Sequence, residues 1–268
     1  MRASEAPSAD EELALLLEAV EPAARLAFGF FRRPMKTWFK AGNSPVSEAD
    51  MAVDRLLRDR LAEARPDYGW LSEETADTDE RLGTARVIVV DPIDGTRAFI
   101  AGAPHWAVSA AIVEDGRPIA AVLSAPAAGQ VFTATRGGGA RLDGRAISVT
   151  DATALAEARL ASPRHLVKEA RGLAGVDPAK VARVPSLALR LALVGAGRFD
   201  AALASGNSAD WDLAAADLIV HEAGGLLTGL DGRTLRYNRA EPRHPALVAA
   251  NPALHARLLA ALRGERHA

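Results

Sequence analysis

The segment Arg86-Val87-Ile88-Val89-Val90-Asp91-Pro92-Ile93-Asp94-Gly95-Thr96 constrains the fold more than any other part of the chain. Its apolar run, bounded by turn-forming residues, predicts a strand buried on both faces. At its end the chain is expected to turn sharply, because Pro92 fixes its own φ and pushes Asp91 into an extended conformation. Gly95 then lets the backbone approach another group closely. Asp91 and Asp94, three positions apart on such a turn, are hard oxygen donors that can face one point in space. That geometry suits Mg²⁺ beside a substrate phosphate. Asp-Pro and Asp-Gly pairs also form solvated turns without a metal, so both readings stand on this segment alone.

The rest of the composition narrows the possibilities. With 268 residues, 49% of them hydrophobic, the chain can bury a sizeable core as one large domain or two subdomains. A formal net charge of −2, without a basic stripe interleaved with aromatics, leaves no electrostatic footprint for a nucleic-acid polymer. Cysteine is absent, which excludes disulfides, thiolate zinc sites and cysteine nucleophiles. No apolar run approaches the roughly 20 residues that span a bilayer, and the polar start from Met1 to Asp10 lacks a signal-peptide core. The expectation is a soluble cytoplasmic protein with no membrane partner.

Periodicity predicts an amphipathic helix over Asp10–Arg33, kinked or divided at Pro22, then a connection over Trp38–Pro45 containing Gly42 and Asn43. A second helix follows over Ser47–Ala64, with Met51, Val53, Leu56, Leu57 and Leu61 facing the core. Strands are predicted at Tyr68–Leu71, Val87–Val90, His105–Val113, Pro118–Leu123 and Gln130–Thr135, with hairpin turns at Asp115-Gly116 and Asp143-Gly144. Two helices followed by an antiparallel meander make an α+β half, 1–150. The composition shifts over Asp151–Glu157, and 151–268 forms a second α/β half. It contains strands at Ala158–Ala161, Phe199–Leu203, Leu226–Thr228 and Leu247–Ala249. Its helices lie at Pro185–Gly195, Trp211–Ala223 with a stop at Gly224-Gly225, and Pro252–Leu262.

Three other segments carry carboxylates in unusual company. Trp70-Leu71-Ser72-Glu73-Glu74-Thr75 places two glutamates at the exit of a short strand, where a polar loop is the plain alternative. Ser47-Glu48-Ala49-Asp50 opens the second helix, where Ser47 with Asp50 also makes an adequate N-terminal cap. Asp210-Trp211-Asp212 opens a later helix, where Asp210 reads as the cap and Asp212 as a first-turn carboxylate favoured by the dipole.

Together these motifs resemble the inositol monophosphatase family of metal-dependent phosphatases. Asp91-Pro92-Ile93-Asp94-Gly95-Thr96 looks like its central motif without a change, and Trp211-Asp212-Leu213-Ala214-Ala215-Ala216 with Glu222-Ala223-Gly224-Gly225 resembles its C-terminal signature. Ser72-Glu73-Glu74-Thr75 is similar to its Gly-Glu-Glu-Ser segment, with Ser72 for the usual glycine, and Ser47-Glu48-Ala49-Asp50 to its Thr-Glu-Ala-Asp. The resemblance covers roughly Ala14–Arg257. It implies an α/β (α+β) sandwich of alternating helix and sheet layers, and a homodimer. It also implies two or three Mg²⁺ ions, with Glu73, Asp91 and the Ile93 carbonyl around the first and Asp91, Asp94 and Asp212 around the second. The 1–150 half would thus carry most ligands and the 151–268 half would contribute Asp212. Gly95 and Thr96 would give backbone N–H groups to the phosphate. Thr96, paired with Asp50, and Glu73 would orient and deprotonate the attacking water. Two metals roughly 3.5–4 Å apart neutralise an anionic ester, acidify water and stabilise the leaving oxygen, so no covalent nucleophile is needed.

The leaving group is read from departures. Inositol phosphatases place an acidic residue a few positions before Trp-Asp, whereas Ser205-Gly206-Asn207-Ser208-Ala209 offers no carboxylate. Leu189-Arg190 resembles the Leu-Lys of 3′(2′),5′-bisphosphate nucleotidases, and Arg190 could meet a second phosphate. A solvated helix face is the alternative for Arg190. The expected reaction is removal of the 3′-phosphate of adenosine 3′,5′-bisphosphate, with an inositol-1-monophosphatase or another small sugar or alcohol phosphatase as the alternative. A catalytically idle regulator is disfavoured by the full ligand set. A dinucleotide fingerprint at Gly137-Gly138-Gly139 fails because a hairpin follows rather than an apolar helix. His105, His165 and His221 lack metal spacing and read as structural or exposed.

Overall fold

The computed structural model describes residues 6–40, 44–163, 166 and 175–263. It is a stack of alternating helix and sheet layers. Helices α1 (Ala9–Phe30) and α2 (Glu48–Ala64) pack on each other and on one face of a seven-stranded sheet. The two-stranded ribbon β1 (Thr37–Phe39) with β2 (Pro45–Ser47) leads into α2. The sheet runs in chain order through β3 (Gly69–Ser72), β4 (Arg86–Asp94), β5 (Ala107–Glu114), β6 (Arg117–Ala125), β7 (Gln130–Thr135), β8 (Gly139–Leu142) and β9 (Arg145–Ala146). Only β3 and β4 run parallel within it. The short helix α3 (Thr96–Ile100) follows β4.

The second sheet contains β10 (Leu160–Ala161), β11 (Val181–Ala182), β12 (Ala201–Ala204), β14 (Leu226–Gly229) and β16 (Leu247–Ala250), while β13 (Ser208–Ala209) pairs separately with β15 (Arg243–His244). Helices α4 (Leu187–Gly195) and α5 (Asp210–Glu222) lie between the two sheets, and α6 (Pro252–Leu262) packs on β16. Among the described residues no helix is long and apolar enough to cross a membrane.

Alternation along β4 shows why this strand is apolar throughout. Ile88 and Val90 enter the core under α1 and α2, whereas Val87 and Val89 enter the core shared with α4, α5 and the second sheet. That second core draws residues from both sides of residue 150, from Leu71 to Ala249.

Four expectations need correction. Pro22 does not divide α1, which is continuous through it. The missing N–H leaves the Glu18 carbonyl without its helical donor, and Arg60 Nη1 approaches that oxygen at 3.5 Å. Trp38, Phe39 and Pro45, expected in a connection, belong to two strands, Thr37–Phe39 paired in register with Pro45–Ser47; Gly42 and Asn43 lie outside the described residues. Met51 is exposed, because the buried face of α2 is set by Val53, Leu57 and Leu61.

Finally, β4 does not end at Val90 but continues to Asp94, with an irregularity in its pairing with β5. Asp91 opposes Ser109 and Asp94 opposes Ala107, so three steps on β4 match two on β5. In a regular strand, residues three apart point to opposite faces. One extra residue restores them to the same face, and Pro92 sits inside the bulge where a missing ladder donor is tolerated.

Replacing Pro22 by Ala is expected to stabilise the protein by about 1–2 kcal/mol, the regained helical hydrogen bond outweighing the greater freedom of the unfolded chain. Calorimetry would show a rise of a few degrees in Tm. A fall would mean that the Arg60 contact already replaces the lost donor in full.

Candidate active site

Asp91, Asp94 and Asp212 each bring one carboxylate oxygen to within 4.8 Å of the others. They form the one group of three or more potential metal ligands among the described residues. Three structural elements hold them there. Asp91 Oδ1 accepts the Ile93 N–H at 3.0 Å, inside the bulge. Asp94 Oδ2 accepts the Ser186 hydroxyl and, at 2.6 Å, the Ala188 N–H, so it lies on the N-terminus of α4. Asp212, third residue of α5, accepts the Ala209 N–H on Oδ2 at 2.7 Å. Each carboxylate is thus oriented through one oxygen, leaving the other outside these bonds.

The electrostatics of the group are unfavourable as it stands. Burial, then Glu73, Asp94 and Asp212, hold the Asp91 carboxyl well above its ordinary range. Burial raises Asp94 against the opposing bonds from Ser186 and Ala188. Asp212 keeps some solvent contact, yet burial and Asp94 push it up to about 8. The donors are all hard oxygens clustered around one point, which fits a hard divalent cation and no soft metal.

The same cavity, of about 610 Å³, is lined by Glu73, Thr96, Gly95, Ser44 and Pro45 as well as the three aspartates. Arg97, Arg183 and Arg190 line it too. Gly95 turns the chain from β4 into α3 at φ +92°, and a Cβ there would lie 2.9 Å from the His105 carbonyl oxygen, so no other residue fits. Thr96 Oγ1 lies 3.2 Å from Asp50 Oδ1 and 3.0 Å from the Ile93 carbonyl oxygen, its proton shared between them. Asp50 Oδ2 accepts both the N–H and the hydroxyl of Ser47, so Asp50 caps α2 and binds Thr96 at once. Burial raises the Asp50 carboxyl despite these donors.

Glu73 stands slightly apart, 3.2 Å from Lys40 Nζ, which also binds Glu74 at 2.7 Å. Burial pushes Glu74 up to about 7, with Lys40 holding it down. The turn that carries both glutamates is pinned by Asp54, whose two oxygens accept the hydroxyls of Ser72 and Thr75. A larger apolar cavity of about 750 Å³, near Leu17, Phe28 and Val122, has one carboxylate, Glu21, already paired with Arg25, and lacks this chemistry.

Arg190 is not on a solvated helix face. It is buried, its Nε and Nη2 donate to the Val184 carbonyl at 3.0 and 2.7 Å, and its Nη1 donates to the Leu203 carbonyl at 3.0 Å. Burial pushes it down to about 10. Asp210 is not the cap of α5 either. Ala209 occupies that position, and Asp210 is fully buried with Oδ1 2.7 Å from His244 Nε2. His105 is exposed, His221 Nδ1 lies 2.7 Å from Asp217 Oδ1, and His165 lies outside the described residues.

Sequence reasoning missed Lys40, Asp54, Ser186 and Arg183. Asp54 had a usable signal: an acid four residues after Asp50, on the helix face set by Val53 and Leu57. Ser186 was readable as a cap for α4, though nothing tied it to Asp94. Lys40 and Arg183 carried no signal.

The profile of the inositol monophosphatase family matches residues 10–267. An inositol-1-monophosphatase of Rhizobium meliloti is 40% identical over 197 residues, 70% of this chain and 73% of that protein. A histidinol-phosphatase of Mycobacterium tuberculosis is 36% identical over 265 residues, 94% and 97% of the two chains. The crystal structure of the extragenic suppressor protein suhB from Bartonella henselae superposes with a TM-score of 0.84 at 30% identity, covering 94% of this chain and 98% of that one. The chain belongs to the inositol monophosphatase family, whose members are phosphoric monoester hydrolases.

The raised carboxylates set a pH dependence for the metal-free protein. The unfolded chain loses these protons near pH 3.8, the folded one only at higher pH, up to about 8 for Asp212. Their contribution is therefore fully present at low pH and is lost as pH rises through the folded values. Metal-free Tm is expected to fall between about pH 4 and pH 8. A divalent cation at about 100 times its Kd is expected to restore about 2.7 kcal/mol, and Asp212→Asn to flatten the decline and remove the response to the cation. A metal-free Tm that climbs across this range would contradict the like-charge reading.

Proposed function

We propose that this chain is a Mg²⁺-dependent phosphomonoesterase acting on a small substrate with a second anionic group. The reading is that it removes the 3′-phosphate of adenosine 3′,5′-bisphosphate. The observation that carries the reaction class is the convergence of Asp91, Asp94 and Asp212, each steered by one hydrogen-bonded oxygen, beside the Thr96–Asp50 pair.

Glu73, Asp91, Asp94 and Asp212, with the Ile93 carbonyl, would hold two or three Mg²⁺ ions. Divalent cations at such a site neutralise phosphoryl charge and acidify water. Gly95 and Thr96 would direct backbone N–H groups at the phosphate. The Thr96 hydroxyl donates toward Asp50 and the Ile93 carbonyl, so its oxygen would be oriented to accept a hydrogen bond from the attacking water. Glu73, paired with Lys40, would take the proton as the water attacks. The resemblance also supports a homodimer.

The substrate reading rests on three arginines lining the cavity. Arg190 has three donors committed to carbonyls, so the contact with a second anion passes mainly to Arg183, an exposed residue close enough to lower the Arg190 pKa. A second reading, hydrolysis of inositol 1-phosphate or histidinol phosphate, is supported by the activities named for the relatives.

A phosphate-release panel of adenosine 3′,5′-bisphosphate, inositol 1-phosphate, fructose 1,6-bisphosphate and histidinol phosphate separates these readings. Activity is expected to vanish in excess chelator and return with Mg²⁺; full turnover after exhaustive metal removal would defeat the metal-dependent mechanism. The bisphosphate nucleotide is expected to show the highest kcat/KM. Arg183→Gln should lower that value by about 10-fold, as for a lost charge-assisted hydrogen bond, with little change for inositol 1-phosphate. Faster hydrolysis of inositol 1-phosphate or histidinol phosphate by the wild type would favour the second reading.

A further inference from the structure

Glu73 reaches the cavity from the end of β3 and Asp212 from the first turn of α5, and neither contacts the other's backbone in any hydrogen bond described above. A separate chain of polar contacts joins the segments that carry them. It starts at Asp77, four residues after Glu73. Arg81, in the short turn Asp79–Gly83, grips Asp77 with two prongs, Nε to Oδ1 at 2.6 Å and Nη2 to Oδ2 at 2.7 Å. Its side chain is 1% exposed, and it also donates from Nη1 to Asn238 Oδ1 at 2.7 Å and from Nη2 to the Arg239 carbonyl at 3.0 Å. Asn238 returns a bond from Nδ2 to the Arg81 carbonyl at 3.3 Å. The Asn238 N–H donates to Asp210 Oδ2 at 2.7 Å. Asp210 opens α5, two residues before Asp212, and its other oxygen meets the buried His244.

Two further features make this route stiff. The turn holding Arg81 lies directly against the start of β3: a Cβ on Gly69 would sit 2.7 Å from Thr84 Oγ1 and 2.9 Å from Arg81 Cβ. Asn238 adopts φ +54°, a left-handed conformation that non-glycine residues occupy only where the surroundings fix it. Here both its backbone N–H and its side chain are committed, one to each half of the route. None of Asp77, Arg81, Asn238, Asp210 or His244 lines the cavity, so their effect on it passes through the elements they hold.

We propose that Arg81 and Asn238 are positioning residues that fix the separation of Glu73 and Asp212, and thereby the affinity of the cavity for a divalent cation. This rests on the metal site proposed above. Mg²⁺ requires near-ideal octahedral geometry and tolerates ligand displacement poorly. Partners that orient metal ligands without touching the ion typically affect affinity by 10- to 100-fold.

Asn238→Gly weakens the route at one point, leaving only the Arg81 Nη2 bond to the Arg239 carbonyl across it. Glycine keeps the left-handed backbone and the N–H to Asp210 while deleting both side-chain bonds to Arg81. Asn238→Asp keeps an oxygen facing Arg81 and is the rescue variant. Asp77→Asn, at a partly exposed side chain, loosens Arg81 from the other end and serves if Asn238→Gly does not fold. Mg²⁺ binding to wild type and variants is measured by titration calorimetry, alongside Tm and kcat at saturating Mg²⁺. The proposal requires the Kd for Mg²⁺ to rise about 10-fold or more in Asn238→Gly or Asp77→Asn and to return to within about threefold of wild type in Asn238→Asp. A lowered Tm with unchanged Kd in a folded variant would assign the route to stability alone and overturn the proposal. Wild-type protein that binds no Mg²⁺, or binding unaffected by Asp94→Asn, would overturn the metal site itself and this inference with it.

Discussion

Mutual repulsion among Asp91, Asp94 and Asp212 is the constraint that organises this molecule. Burial raises the pKa of all three carboxylates, and their closeness, within 4.8 Å of one another, raises Asp91 and Asp212 further, so that ionising them opposes folding. They are held because each has one oxygen fastened to donors that belong to secondary structure: a bulge N–H, a helix N-terminus with its capping serine, and the first turn of a second helix. Each fastening depends on an element buried in a core, so the site is only as rigid as the layers behind it. The strand that carries two of the three is covered on both faces by separate apolar cores. Proteins commonly concentrate such unfavourable arrangements where function requires them.

The elements themselves were legible because their signals are local. Strand β7 and helix α6 have the boundaries that periodicity and turn chemistry predict. The Asp115-Gly116 and Asp143-Gly144 turns take positive φ at both residues, as two-residue hairpins require. What escaped was set by tertiary pairing. The Trp38 region forms a strand only because Pro45–Ser47 lies beside it. The bulge at Pro92 is defined by its register with β5, and a sharp turn was the nearest reading that one strand alone allowed. Met51 sits on the helix but outside the arc that the sheet covers.

At the site the same division holds. The acidic motifs identify Asp91, Asp94, Asp212 and Glu73 as a set, and the structure brings them to one cavity. The contacts that fasten them were not legible, since Ser186 reaches Asp94 and Lys40 reaches Glu73 across 92 and 33 residues of chain. Asp210 was misread because an acid before Trp-Asp fits a capping pattern equally well; the buried His244 that claims it comes 34 residues later. Asp50 shows that two readings can both hold, since one carboxylate caps α2 and receives Thr96.

Arg190 and Arg183 divide labour in a way that bears on how substrate choice can vary within one fold. Helix α4 is anchored at its start by Asp94 through Ser186 and Ala188, and Arg190 ties its first turns to Val184 and to Leu203 of the second sheet. The backbone of residues 184–188 is therefore fixed against a proposed metal ligand by bonds that tolerate little change. Arg183 stands immediately before this anchored stretch with an exposed side chain that lines the cavity. A substitution at 183 alters the charge on the cavity wall without removing the donors that hold Asp94. Replacing Arg190 instead removes three buried hydrogen bonds and leaves the Val184 and Leu203 carbonyls without those donors, a cost borne by folding before it reaches specificity. On the proposed reading, chemistry and selectivity would be separated by a single residue along the chain, the first built on buried bonds and the second on an exposed cation.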